Sequence, residues 1–385
     1  MSLRVISKYP IPRYPNEWER RAVKNKVRYT PLSQLDKVDS ASKMGEAQFL
    51  RMRTLWPKAK KATDFPKPDS AMSDRVSEVV DHFPEFDAYL NSIDEGKQTF
   101  NDRTMGVFQL VMQSQRQVSA DPNVPRLESD SYVIRRSARI QNQPRPSPEE
   151  TSAMSSTGMS SIGMTSIGGI SAAADSDLPY ARTKDEQLVN DALLLFLRAL
   201  TVHLPDMRCE WSSIRSPFMT ASFGDHEMTA RIDGCLVGIE DSGIFAIAEV
   251  KPRVRNRVKW PELLWQETAE MVSWILHDGE EAWETPDHQR LLVSQDNHKI
   301  WLTLATYDAR YVQYLKDERP PTQSSRSTLR SGSQRPLSQG PLHFLRMQEY
   351  GPWNIGKASD IRHLARIFVG WAFKVTDFIV ASETQ

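Results

Sequence analysis

The feature that most limits how this chain can fold is residues 122–174, which turn Pro-rich and then Ser/Gly/Met-rich, ending in TSAMSSTGMSSIGMTSIGGISAAA. A stretch with so few large apolar side chains cannot bury enough surface to offset its ordering entropy, so it reads as a flexible linker. It divides the 385 residues into a region 1–120, a linker 121–179 and a region 180–385. Residues 1–70 carry Pro, Lys and Arg with scattered aromatics and no sustained period, and read as mostly irregular. Short helices are expected beyond them, over Ser73–Leu90 with Ser73 as cap and over Met105–Met112. The N-terminal half is therefore expected to be largely disordered.

After the linker the pattern becomes globular. Thr183–Leu200 has an apolar stripe at helical spacing (Leu188, Ala192, Leu195, Ala199), with Thr183 as N-cap. Cys209–Phe223, Met228–Ile239, Ile244–Lys251, His298–Tyr307 and Leu342–Tyr350 read as strands. Val258–Leu276 and Asp360–Val380 read as helices, and residues 320–340 as a disordered Ser/Arg-rich insertion. This order predicts an α/β domain over 180–385 with a small mixed sheet.

Composition narrows the partners only slightly. Lys+Arg and Asp+Glu balance at 49 each, so net charge makes no global case for nucleic acid or membrane. Only two cysteines occur, Cys209 and Cys235, neither at metal-ligand spacing, which fits a reducing compartment. The N-terminus has no continuous apolar h-region and no run spans a bilayer, so no membrane partner is expected. The chain reads as intracellular, and the short cluster Lys58, Lys60, Lys61 does not decide between nucleus and cytoplasm.

The chemistry concentrates in RIDGCLVGIEDSGIFAIAEVKP, Arg231–Pro252. Strand alternation puts Glu249 and Lys251 on one face and Val250 on the other. A three-residue loop at Asp241-Ser242-Gly243 pairs Glu240 with Ile244, and so places Asp233 opposite Lys251 and Cys235 opposite Glu249. A loop one residue shorter would turn Asp233 to the wrong face. Asp233-Gly234 is also a turn dipeptide in its own right. Two carboxylates beside an ammonium are unfavourable in a plain core but suit a divalent cation with hard oxygen ligands.

Asp233 followed by Glu249-Val250-Lys251 on the next strand, between two helices, resembles the PD-(D/E)XK nuclease superfamily. With AEVKPRVRNRVKW, Gln266-Glu267-Thr268-Ala269-Glu270-Met271 and Tyr350-Gly351-Pro352-Trp353, the likeness extends to a fungal PD-(D/E)XK nuclease-like family, over about 180–380. The naming proline is missing, since Arg231-Ile232 precede Asp233. The resemblance implies a restriction-endonuclease-like αβββαβ core. It also implies Mg2+ or Mn2+ held by Asp233, Glu249, the Val250 carbonyl and Glu186. Lys251 would be catalytic and Gln266 an accessory residue.

Each residue also has a bland reading. An acid, any residue and lysine recur at Glu95-Gly96-Lys97. Glu186 fits a capping box with Thr183. Gln266 and Glu270, four apart, fit a helix-surface pair. Arg253, Arg255, Arg257 and Lys259 would track a phosphate backbone if extended, and would be a solvated run if looped. The expected activity is metal-dependent hydrolysis of phosphodiesters in DNA or RNA. The alternatives are an inactive nucleic-acid- or protein-binding module, and a protein whose main role lies in 1–120.

Overall fold

The computed structural model describes residues 11–94, 103–119, 185–213, 219–240, 243–278, 289–316 and 342–384. The expected linker, the 320–340 insertion and Thr183 lie outside them. No helix among the described residues is long and apolar enough to cross a membrane.

Strands β1 (Thr54–Leu55), β2 (Cys209–Ser212), β5 (Gly234–Gly238), β6 (Ile244–Lys251), β7 (Arg290–Asp296), β8 (Lys299–Thr306) and β9 (Leu345–Asn354) form one mixed sheet. Their order is β1-β9-β8-β7-β6-β5-β2, with β6/β7 and β1/β9 parallel and the other pairs antiparallel. Strands β3 (Met219–Phe223) and β4 (His226–Ala230) make a separate hairpin. The chain is thus α/β, with a wider sheet than the small one expected. Arg290–Asp296 is a strand that the sequence reading does not anticipate, because its apolar run, Leu291–Val293, is only three residues long and ends in polar ones.

Alternation along the strands feeds two cores, one on each face of the sheet. Ala248 and Val250 of β6 join helices α3 (Ser70–Val80), α4 (Pro84–Asp94), α5 (Phe108–Ser119), α6 (Glu186–Thr201) and α9 (Ala358–Glu383). Ile247 joins α1 (Pro15–Lys24), α2 (Glu46–Arg51), α7 (Glu262–Asp278) and α8 (Ala309–Leu315).

The N-terminal region therefore differs from its expected, mostly irregular state. Over its described residues it supplies helices to both faces. Trp18 is fully buried, and its indole N–H donates to the Leu50 carbonyl at 2.8 Å. Full burial of a side chain of this kind stabilises by roughly 1.5–3 kcal/mol. These helices are short, and α1 and α2 bury only a few residues each, which is why no period stood out. The single helix expected over Ser73–Leu90 is two helices. Asp69, not Ser73, caps the first by accepting from the Met72 amide at 2.9 Å, and Pro84, lacking an amide hydrogen, starts the second. The long strands expected over Cys209–Phe223 and Met228–Ile239 each divide in two, as β2 and β3 and as β4 and β5.

Candidate metal site

The β5–β6 hairpin decides which side chains meet. Near its turn Val237 pairs with Ile244, and the Gly238 amide donates to the Gly243 carbonyl at 2.9 Å. Continued unchanged, that register would turn Asp233 away from Glu249. A bulge intervenes between Leu236 and Val237, so Leu236 pairs with Ala246 and Phe245 is the extra residue. Phe245 and Ala246 accordingly enter the same core, against the usual alternation. Beyond the bulge Gly234 pairs with Ala248, and the Asp233 amide donates to the Ala248 carbonyl at 3.0 Å. Asp233 thus lies abreast of Glu249, two residues from its expected place opposite Lys251. Cys235 faces Ile247 instead of Glu249. A two-residue slip preserves the face, and the acids converge.

Helix α6 brings the third acid. Asp185 caps it by accepting from the Gln187 amide at 2.9 Å. Glu186 reaches Lys251, whose Nζ lies 3.0 Å from Glu186 Oε1. Oxygens of Glu186, Asp233 and Glu249 all lie within 4.8 Å of one another, so these three residues could hold a metal ion. Asp233 is fixed by the Val250 amide, which donates to its Oδ2 at 3.0 Å, and Asn190 Nδ2 donates to its carbonyl at 3.2 Å.

Glu249 is 2% exposed. Its Oε1 accepts from Lys251 at 2.5 Å and from Gln266 Nε2 at 2.7 Å, whereas its buried Oε2 has no hydrogen-bond partner. Burial pushes its carboxyl up to about 8 in the ion-free protein, against the opposing pull of Lys251 and with further upward help from Asp233. Burial by itself would lower the Lys251 ammonium, but Glu249 and Glu186 together hold it above the usual lysine range. Gln266 also donates to Glu270 Oε1 at 2.8 Å; Glu270 is fully buried and Gln266 half-buried on the chamber side, so this is not an exposed surface pair. Burial, then Glu249, raises the Glu270 carboxyl well above its ordinary value.

Glu186, Asp233, Glu249, Lys251 and Gln266 border a chamber of 530 Å³. Ser40, Ala41, Ser42, Thr229 and Arg231 line it too. The serines were missed because nothing in residues 1–70 marks them out. Buried glutamates within the apolar Trp/Leu helix α7 were the legible hint to Glu270.

The arginine run requires correction. After Lys251 the chain leaves the sheet and turns, so the four cations do not share one extended side. The Arg255 side chain is 2% exposed and pairs with Glu267 at 2.8 Å, with Asp296 and with Glu349, whose side chains are themselves buried. Arg257 also pairs with Glu349. Buried carboxylates demand a counter-charge, and this run supplies it. Arg253 lies over the Trp260 ring at 5.8 Å, and Lys259 is exposed.

Comparison with known protein families, with curated proteins and with solved structures returned no match.

Proposed function

We propose that the chain is a metal-dependent phosphodiesterase of nuclease type, acting on nucleic acid, with a restriction-endonuclease-like core. The observation that carries this reading is the convergence of Glu186, Asp233 and Glu249 within 4.8 Å beside the Lys251 ammonium, in an accessible chamber. The residues fit a hard divalent cation. All three donors are carboxylate oxygens, and the buried Glu249 Oε2 has no hydrogen-bond partner. Magnesium or manganese, when bound, would supply charge against a phosphate oxygen and lower the pKa of water.

The protein's own groups divide the remaining work. The Val250 amide fixes one Asp233 oxygen. Lys251 and Gln266 occupy Glu249 Oε1, which leaves Oε2 as the oxygen offered to an ion. The Val250 carbonyl remains part of the proposed ligand set. Lys251 is held as an ammonium at neutral pH, so it serves as a charge and a donor to a phosphate oxygen, not as a base. The test is magnesium-dependent nicking of plasmid DNA or RNA by the full chain and by Asp233→Asn, Glu249→Gln and Lys251→Met. Equal background cleavage from all four proteins ends the enzyme reading.

One observation favours a second reading, an inactive binding module. The Lys251 ammonium already pairs with Glu186 and Glu249, two of the three candidate ligands, and acts as an internal cation there. Calorimetry separates the two, since an inactive module predicts no magnesium uptake that Asp233→Asn abolishes.

A further inference from the structure

The chamber has a wall that comes from far away in sequence. Ser40, Ala41 and Ser42 border it together with Thr229 and Arg231, although Glu186 lies more than a hundred residues downstream of them. The wall is held by design-like contacts. Gln48, 5% exposed, clamps the Asp39 peptide from both sides: its Oε1 accepts from the Asp39 amide at 2.9 Å and its Nε2 donates to the Asp39 carbonyl at 2.8 Å. Ala41 and Met44 are buried in the core that α7 shares. Helix α7, which carries Gln266, is gripped on both sides of that residue by the same N-terminal region. Phe49 stacks on Trp265 at 5.9 Å, and the Trp56 indole donates to Thr268 Oγ1 at 2.9 Å.

We infer that this wall makes the site selective for single-stranded nucleic acid, admitted about one nucleotide at a time, and excludes a paired duplex. The inference rests on the phosphodiesterase reading and deepens it. A chamber of 530 Å³ has the size of a small-molecule pocket, with room for a nucleotide. A duplex instead presents its phosphates along a convex rod and is gripped by a track of cations. The nearest arginine run provides no such track, because Arg255 and Arg257 turn inward to Asp296, Glu267 and Glu349. Ser40, Ser42 and Thr229 offer neutral hydroxyl groups suited to sugar and phosphate oxygens, and Arg231 beside them adds one cation, enough for a single phosphate but not for a track. A single strand can lead one unstacked nucleotide into such a space, whereas a duplex must first be opened there at a cost.

The experiment measures binding as well as cleavage, on the full chain. Fluorescence anisotropy in calcium compares a short oligodeoxythymidine with a blunt hairpin duplex, alongside magnesium-dependent cleavage of each. The single strand should bind at least about tenfold tighter than the duplex, a gap of about 1.4 kcal/mol. Gln48→Leu, which releases the wall, should bring the two affinities close together. Ser42→Trp, at an exposed position that does not endanger folding, should weaken single-strand binding about tenfold or more. Calcium affinity by calorimetry should be unchanged in both variants. Equal affinity of the wild type for both probes overturns the inference, as does a wild-type ratio retained by both variants. Cleavage of both probes without preference removes the wall's role and leaves the phosphodiesterase reading standing. Selective binding without cleavage does the reverse.

Discussion

Replacing Arg255 by methionine should be among the most damaging single changes outside the candidate site. The side chain is 2% exposed, and its partners Glu267, Asp296 and Glu349 are 0%, 1% and 0% exposed. Burial raises the Asp296 carboxyl even with the arginine in place, since Arg255 only partly opposes it. Removing one partner of a buried ion pair costs roughly 3–5 kcal/mol, because the remaining charge is stranded. Arg257 still serves Glu349, so the expectation is about 4 kcal/mol, not a multiple of it. At about 2–4 °C per kcal/mol for a domain of this size, the melting temperature should fall by roughly 8–16 °C. Urea unfolding followed by tryptophan fluorescence gives the free energy. The sign with pH is fixed too. Carboxyls stranded in the variant have folded values above their unfolded ones, so the loss is fullest at high pH. It shrinks as pH falls and they take up protons. Arg255→Lys keeps the charge but not the forked geometry, and should lie between the two. A loss under about 1 kcal/mol, typical of an exposed pair, would refute the account, as would a gap that widens on acidification.

Gly234→Ala should destabilise by about 1–3 kcal/mol, since a new Cβ would meet Leu194 Cδ2 at 2.7 Å and the Ser212 carbonyl oxygen at 3.1 Å; chemical denaturation checks it. Magnesium affinity should climb as pH rises to about 8 and flatten above it, with up to about one proton released per ion near neutral pH; calorimetry in buffers of different ionisation enthalpy reads this. In the ion-free chain the raised Glu249 carboxyl makes stability fall as pH rises from its ordinary 4.5 to about 8, and Glu249→Gln should flatten that stretch of the stability curve. Cys209 and Cys235, buried with thiols pushed up to about 11, should resist a disulfide reagent at mildly alkaline pH and react only in denaturant.

Much of the candidate site was legible because strand periodicity is strict. Glu249 and Lys251 had to share a face, and the apolar run before them had to be a strand. Asp233 reached its place by a route the sequence does not spell out. The turn is not the three-residue loop expected, and the bulge at Phe245 restores the face. Nothing about Phe245 as a residue marks it as the extra one; that depends on packing on both sides of the sheet. Glu186 had two readings, and they parted in space: Asp185 caps the helix, and the Glu186 side chain goes to Lys251. The arginine run misled because alternation in sequence shares a side only if the backbone is extended. The cavity wall was invisible for another reason. The turn at Ala41–Lys43 is held by packing against α7 and β4, and short, sparsely apolar segments gain their stability from such tertiary packing, not from local pattern.

Residues 53–60 run alongside β9 and close that margin of the sheet. Thr54 pairs with Leu345, the Leu345 amide donates to the Arg53 carbonyl at 3.0 Å, and the Lys60 peptide bonds to both Glu349 and Gly351. A truncated chain starting near residue 180 would leave those backbone groups bare, an open template onto which any other strand could pair. Such a fragment should self-associate, and an inactive fragment would therefore say nothing about the chemistry of the acids. The N-terminal stretch covers the sheet edge, and any protein meant to report on catalysis must keep it.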